Sequence, residues 1–440
     1  MKFVILLVLI YLAYNIIRTQ DYERFKFIFL GFVFFPSITP VPSAGLDAHR
    51  FLILSFLFSL FVHNEFKKIR SIPLAWILLL MLISGFLTGY MDSRISAFSK
   101  FWKPFSRFLV EFGLVYIGYC TFLTLDAAAK MERLLVRVAL IVGAYGLLTL
   151  IVGTDVYGLI MSTVIDESFT DFTPTLSGRM RICSFLMNSH IYGSYCCSMG
   201  LFMSYIQAKR GWTQIEKLTF VLMIIGLLIS GSRSSLMGFV IGEIILIVFG
   251  SNANTFVKRI AVIVISAFFV CQIPMVKDKV ISITSLFNPN AEQTSGSTIE
   301  GREMQYDVSM QIFSLNPIWG NGYDYWGEVT ANDEYWKKEG IYGAESYVFI
   351  LLIERGLVQI VIILVFTLLL LLLLLLKSKK VRLENVFALS LFICFVSISI
   401  MTGNTGKWPL FLPLLGLFLN TDNVEYFKKL YYYDESMPKE

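Results

Sequence analysis

Arg179, Arg181, Arg233 and Arg302 are the residues of this chain best suited to hold a phosphate-bearing ligand. A guanidinium stays charged and offers a planar fork of donors, so several converging on one point match a diphosphate. Arg233 sits in Ser230-Gly-Ser-Arg-Ser-Ser235, wedged between two apolar runs with almost no loop. Arg179 and Arg181 precede Asn188-Ser-His190-Ile-Tyr-Gly193 at the entrance to another run, and Arg302 lies in a long polar stretch. An arginine at membrane depth costs roughly 2.5–3.5 kcal/mol unless it faces a cavity or a partner. A snorkelling interfacial role for Arg233, and ordinary loop charges at the other three, stand beside the phosphate reading.

Glu345 is the candidate general base. It lies two residues after Gly343, where polar sequence gives way to apolar, and a partly desolvated carboxylate is more basic. A first-turn glutamate favoured by the helix dipole is the alternative. Ser346 reads as a cap, since no Ser-His-Asp arrangement surrounds it. Asn188 and His190 are placed to touch substrate, although a satisfied core histidine is the stronger reading of His190. Trp319, Tyr323, Tyr325 and Trp326 offer rings for sugar faces or for plain loop packing. Gly320 and Gly322 suit turns that let backbone approach a ligand. Glu111 and Glu243 lie inside apolar runs, as proton or ion ligands of a transporter would, although single carboxylates there are more often paired or near an interface. There is no His-x-His, HExxH or carboxylate cluster, so neither a metal site nor a cofactor is expected. The six cysteines lack CxxC spacing and read as small buried hydrophobes.

The elements that must position these residues are membrane helices. The chain of 440 residues is 56% hydrophobic and only 16% charged, against about 25% charged in soluble domains. About 20 apolar residues cross the hydrocarbon. Runs of that kind are expected at 3–17, 26–41, 50–64, 72–90, 106–125, 136–153, 189–207, 217–231, 235–250, 259–275, 356–376, 384–402 and 407–420. The fold class is therefore an all-α polytopic membrane protein with about 12–13 transmembrane helices. Residues 3–17 are read as a retained first span, because no small-x-small cleavage site follows them. Pro36, Pro40 and Pro42 leave open whether 26–41 is a full span or a broken, re-entrant one.

Basic connectors at 67–70, 130–133, 209–210, 258–259, 377–382 and 428–429 fall on one side if the spans alternate, and the positive-inside rule makes that side the cytoplasm. The connector 154–188, the turn at Arg233 and the insert 276–345 then face outward together. The expected division is a helical core at 1–275, a large outward loop containing short helices at 276–345, and C-terminal helices with a short cytoplasmic tail at 346–440. The net charge of +5 is scattered among connectors, so nucleic acid is not an expected partner; the bilayer is.

In this order the motifs resemble the O-antigen polymerase and O-antigen ligase superfamily, including Wzy-like polysaccharide polymerases. The features are Arg181…Asn188…Gly193, then Ser230-Gly-Ser-Arg233, then Arg302…Pro317-Ile-Trp-Gly-Asn-Gly322, then Glu345-Ser346…Glu354-Arg-Gly356. The resemblance covers roughly residues 180–360. It implies a GT-C-like, membrane-embedded glycosyltransferase of a bacterial inner membrane, with its site facing the periplasm and a glycan on undecaprenyl diphosphate as substrate. Arginines would grip the diphosphate, and a residue at the loop-to-helix junction would activate the acceptor hydroxyl. Ligases usually carry His-Asn at that junction; Glu345-Ser346 departs from this and favours polymerisation. A ligase acting on lipid A core and a lipid-linked oligosaccharide flippase are the alternatives. A chain-length regulator is a further conceivable partner.

Overall fold

The computed structural model describes residues 1–41, 46–66, 68, 72–121, 124–165, 182–250, 299–327, 346–378, 383–403 and 408–419. Among them the chain is a stack of helices. α1 (Lys2–Arg18), α2 (Asp21–Phe34) and α3 (Ala48–Val62) pack together at one end of the chain. α2 stops at Phe34, and a two-residue ribbon, β1 (Pro40–Val41) with β2 (Leu46–Asp47), follows. The expected run 26–41 is thus broken near Pro36, as proline's missing N–H and the restriction on its predecessor require.

α4 (Ala75–Met91) turns through Asp92–Ser96 into α5 (Ala97–Phe108), which runs back along it. Gly89 lies so close to α5 that an added Cβ would stand 2.5 Å from the Lys100 carbonyl. α5 continues without a loop into a π-helical turn, Leu109–Gly113, and then α6 (Leu114–Tyr119). α7 (Leu125–Val152) and short α8 (Val156–Ser162) come next.

α9 (Ser189–Arg210) is the buried axis of the molecule: nearly every residue from Ser189 to Ile206 is covered. It packs against α10 (Gln214–Ser230) and α11 (Arg233–Gly250). α12 (Ile299–Leu315) precedes the Pro-x-x-Gly-x-Gly segment, and α13 (Tyr347–Ser378), α14 (Leu383–Met401) and α15 (Trp408–Leu419) complete the described chain. α15 crosses α6 in backbone contact, since Cβ atoms on Gly118 and Gly416 would lie 1.8 Å from the Pro413 carbonyl and 2.1 Å from the Val115 carbonyl. Such small-residue crossings are how membrane helices approach without a hydrophobic drive.

Four described helices are long and apolar enough to cross a membrane: Asp126–Val152, Arg233–Gly250, Tyr347–Lys377 and Leu383–Met401. Ala48–Val62, Ala75–Met91 and Trp408–Leu419 are shorter apolar helices. The all-α membrane class expected from composition is the one observed.

One boundary differs in an informative way. The sequence suggests a span starting at 356, because Glu354-Arg355 looks like a loop end. The helix instead begins at Tyr347 and carries both charges inside it, interrupted only at Gly356 (φ 64°, ψ −175°). That interruption is where the candidate site is built.

Candidate functional site

A helix broken at one residue exposes the last carbonyls of its first half and the first amides of its second. Here the segment Pro317–Gly322 fills the break. The Asn321 and Gly322 amides donate to the Ile353 and Glu354 carbonyls at 2.9 and 3.1 Å. In return the Leu357 and Val358 amides donate to the Pro317 and Ile318 carbonyls at 2.8 and 3.2 Å. The Asn321 side-chain amide adds bonds to the Ile312 and Ile353 carbonyls at 2.9 and 3.1 Å, tying α12 to α13.

Two glycines make the fit possible. Gly320 (φ +77°) and Gly356 (φ +64°) stand back to back, and a Cβ on either would lie 2.4 Å from backbone of the other strand of the joint. Gly320 and Gly322 do serve a turn, but what the backbone approaches there is α13, where the sequence suggested a ligand.

Side chains lock the segment against α4 and α5. Thr88 donates to the Trp319 carbonyl at 2.9 Å, and Arg94, paired with Asp92 at 2.8 Å, donates to the Asn321 carbonyl at 3.0 Å. Arg107 pairs with Asp324 at 2.5 Å, and Lys103 approaches the same carboxylate at 3.4 Å. Burial pushes the Asp324 carboxyl up, but the two cations outweigh it and hold it below the usual carboxylate range. Deeper in, Arg355 is paired with Glu111 on the π-turn, both fully buried. Its guanidinium also lies over the rings of Tyr323 and Tyr347, 5.2 and 5.7 Å from their centroids. Glu111 is thus the paired carboxylate that a single charge in an apolar run more often is, and not a free proton or ion ligand. One oxygen each of Glu111 and Glu354 has no hydrogen-bond partner among the described residues.

A second cluster forms around Arg233. The turn leading to it uses Gly231 in the left-handed region (φ +67°), and its hydroxyls bond to one another: Ser232 to Ser235 at 2.8 Å and Ser194 to Ser235 at 3.1 Å. His190 Nδ1 lies 3.4 Å from the Ser232 hydroxyl. Gly193 on α9 leaves the room, because a Cβ there would meet the Ser230 hydroxyl at 2.7 Å. Arg233 opens α11 half-buried. The structure therefore sets His190 and Gly193, near the start of α9, against the serines of the turn that leads into Arg233.

The other candidates fare differently. The Asn188 side chain caps α9, accepting from the His190 and Ile191 amides at 2.9 and 3.1 Å. Ser346 accepts from the Val348 amide at 3.2 Å, the cap expected of it. Tyr323 and Trp326 are buried in protein contacts, Tyr323 against Gln359 and Trp326 against Val308, Ile312 and Ile353; Trp319 is half-buried. Arg302 lies on α12, and Arg179, Arg181 and Glu345 fall outside the described residues. No group of three or more His, Cys, Asp or Glu capable of holding a metal occurs among the described residues. Sequence reasoning missed Arg107, Asp324 and Arg355. The available signal was charge inside apolar sequence on 103–111, which is one helix, and on 354–355.

Fold and site define a polytopic helical membrane protein whose polar segment is driven into a broken span beside a set of ion pairs. Residues 218–364 match the family model described as O-Antigen ligase. That interval runs from α10 through the Arg233 turn and the Pro317–Gly322 segment into α13, so it bears out the resemblance to the O-antigen polymerase and ligase superfamily. No curated protein matches the chain.

Proposed function

We propose that this protein is a glycosyltransferase that polymerises repeat units carried on undecaprenyl diphosphate into O-antigen, capsular or exopolysaccharide. The observation that carries this reading is His190 against the serine turn that leads into Arg233, a turn that lies within the segment similar to O-antigen ligases. In the reaction, the bond between the donor's first sugar carbon and the diphosphate oxygen breaks, and the diphosphate leaves with the electron pair. A hydroxyl at the non-reducing end of a second lipid-linked unit forms the new glycosidic bond and gives up its proton. Arg233, with Arg179 or Arg181 and Arg302, takes up the charge on the leaving diphosphate, as preorganised donors do, with no metal required. Glu345 orients the acceptor hydroxyl and accepts its proton. Asn188, His190 and the loop aromatics border the sugars. The site faces the periplasm of an inner membrane, where a chain-length regulator is able to dock.

A ligase reading is favoured by the description of the matching family; Glu345-Ser346 in place of His-Asn weighs against it. The glycan ladder of a deletion strain complemented with wild type, Arg233→Ala or Glu345→Gln separates the possibilities. Polymerase activity gives lipid A core capped by a single repeat unit in the deletion and in both variants. Uncapped core with long polymer on the lipid carrier identifies a ligase. A wild-type ladder from the Arg233→Ala strain removes Arg233 from the mechanism, and an unchanged ladder on deletion points to transport.

A further inference from the structure

The serine turn ahead of α11 is a chain of hydroxyls that ends on an imidazole. Ser194, Ser232 and Ser235 are no more than 1% exposed and Ser234 is 8% exposed, so these hydroxyls satisfy one another. Ser194 bonds to Ser235 at 3.1 Å, Ser235 to Ser232 at 2.8 Å, and Ser232 to Ser234 at 3.3 Å. Half-buried His190 closes the chain, with Nδ1 3.4 Å from the Ser232 hydroxyl.

A hydroxyl donates once and accepts at two lone pairs. On Ser232 the Ser235 amide, at 3.4 Å, takes one of the two. While Nδ1 is bare it accepts the Ser232 proton, and Ser234 or Ser235 donates to Ser232. In the imidazolium both ring nitrogens donate, so Nδ1 fills the second lone pair. The Ser232 proton must then turn to Ser234 or Ser235, and their own protons are displaced from Ser232. Ser234 is the least buried of the four, and its displaced proton is the one available to a ligand. A single proton on His190 thus adds a positive charge and releases a hydroxyl donor, and both changes favour an anion.

Among the described residues no other titratable group faces this end of α9. Glu243 stands by Cys197 and Glu384 by Tyr205, about two and four turns along α9 from His190. The charges of α7 all precede Val142, whose carbonyl accepts from Ser184. Those of α10 lie in its first turn, where Glu216 pairs with Arg210. Asp155 accepts from Tyr145 at 2.8 Å, and α15 carries no charge. Arg233 opens α11 beside the chain, and its charge does not change with pH.

We infer that His190 is a positioning residue for the donor diphosphate: on gaining a proton it reverses the serine chain, so that binding at the head of α11 is coupled to proton uptake. The inference rests on the diphosphate role proposed above and adds its regulation by pH, with Ser232 as the link. The coupling is reciprocal, since an anion favours the protonated imidazole as much as the proton favours the anion.

The test is binding of undecaprenyl diphosphate to purified full-length protein in detergent, followed from pH 8 to pH 5.5. Wild type is expected to bind more tightly as pH falls through the ordinary histidine range, by up to about tenfold per pH unit for one coupled proton. The ligand's own phosphate ionisation contributes to every profile, so the comparison with variants is what decides. His190→Gln keeps a hydrogen-bonding amide but does not titrate, and its profile should lack the added gain. Ser232→Ala leaves His190 titrating with the link removed, and should lack it too. Parallel profiles for wild type and His190→Gln overturn the inference. A full gain retained in Ser232→Ala overturns the relay. Should His190→Gln fail to elute as a single species, Ser232→Ala carries the same comparison. Wild type that binds at no pH removes the diphosphate reading itself, and the inference with it; binding with parallel profiles leaves that reading standing and removes His190 from it.

Discussion

The Arg233 turn and the Pro317–Gly322 joint are both polar intrusions into a helical membrane protein, built on opposite plans. At Arg233 the intrusion is satisfied by side chains: serine hydroxyls and one imidazole bond to one another, and helical backbone resumes at once. At the joint it is satisfied by backbone, two amides and two carbonyls on each side exchanging bonds across a broken helix. A hydroxyl network adapts to a changed partner by rotating. A backbone joint has one geometry, and it is enforced beneath by a buried ion pair. The contrast suits the proposed reaction, in which an adaptable, donor-rich turn receives a leaving diphosphate.

The contrast breaks most visibly at Glu111. Removing it by Glu111→Ala leaves the Arg355 guanidinium buried without its partner, which typically costs about 3–5 kcal/mol. The expected outcome is a large drop in the thermal midpoint of the detergent-solubilised protein. An apolar replacement of both, Glu111→Leu with Arg355→Met, recovers much of the loss if the pair serves only the joint.

Next in size is Gly320→Ala. The left-handed backbone alone costs roughly 1–2 kcal/mol for a residue with a Cβ, and the new atom would collide with the Glu354 carbonyl besides. Proteolysis of the loop should accelerate in this variant, and unchanged protection would refute the interlocking. At the hydroxyl turn, Ser232→Ala is expected to cost only about 1 kcal/mol, because neighbouring hydroxyls re-pair. A loss as large as that of Gly320→Ala would erase the distinction between the two regions.

The smallest effect is in pH. Asp324 titrates below its ordinary value when folded, so its ion pair contributes fully above that value and is lost as pH falls through the folded one. The difference in thermal midpoint between wild type and Asp324→Asn should therefore be greatest near neutrality and close in acid. Glu111 and Glu354 also face Arg107 in both proteins, and Glu354 feels the Asp324 charge directly, so the difference reads Asp324 together with its effect on Glu354. A gap that stays constant down to pH 3 would mean that charge at Asp324 does not matter.

The helical class and most spans were legible because apolar runs of bilayer length leave few other solutions. Ser230–Ser235 was legible as a turn for the same reason: it is a short polar interruption with an unexplained arginine. The joint was not. Glycine, asparagine and proline at 316–322 announce a turn, but nothing local says that the turn fits inside another helix thirty residues on. Glu354-Arg355 was read as a boundary because two charges in an apolar run usually end it; their partners, Glu111 and the re-entrant segment, are distant in sequence. Trp326 and Tyr323 show the reverse, since aromatic residues in a polar loop suit sugar faces and packing alike until Trp326 is seen in a small core with α12 and α13 and Tyr323 against Gln359.

The π-turn at Leu109–Gly113 has one more consequence. A π-turn holds one residue beyond what an α-helix of the same length would need, and each residue turns the helix by about 100°. Lys103 and Arg107 lie on its N-terminal side and Glu111 within it, so the surplus residue is absorbed locally and the helix on either side keeps its register. Deleting one residue there other than Glu111 would close an ordinary α-turn over the same length: the cations would still face Asp324, and what would go is the bulge that presents Glu111 to Arg355. The extra residue is a spare link, taken up in one turn and passed on to neither end of the helix.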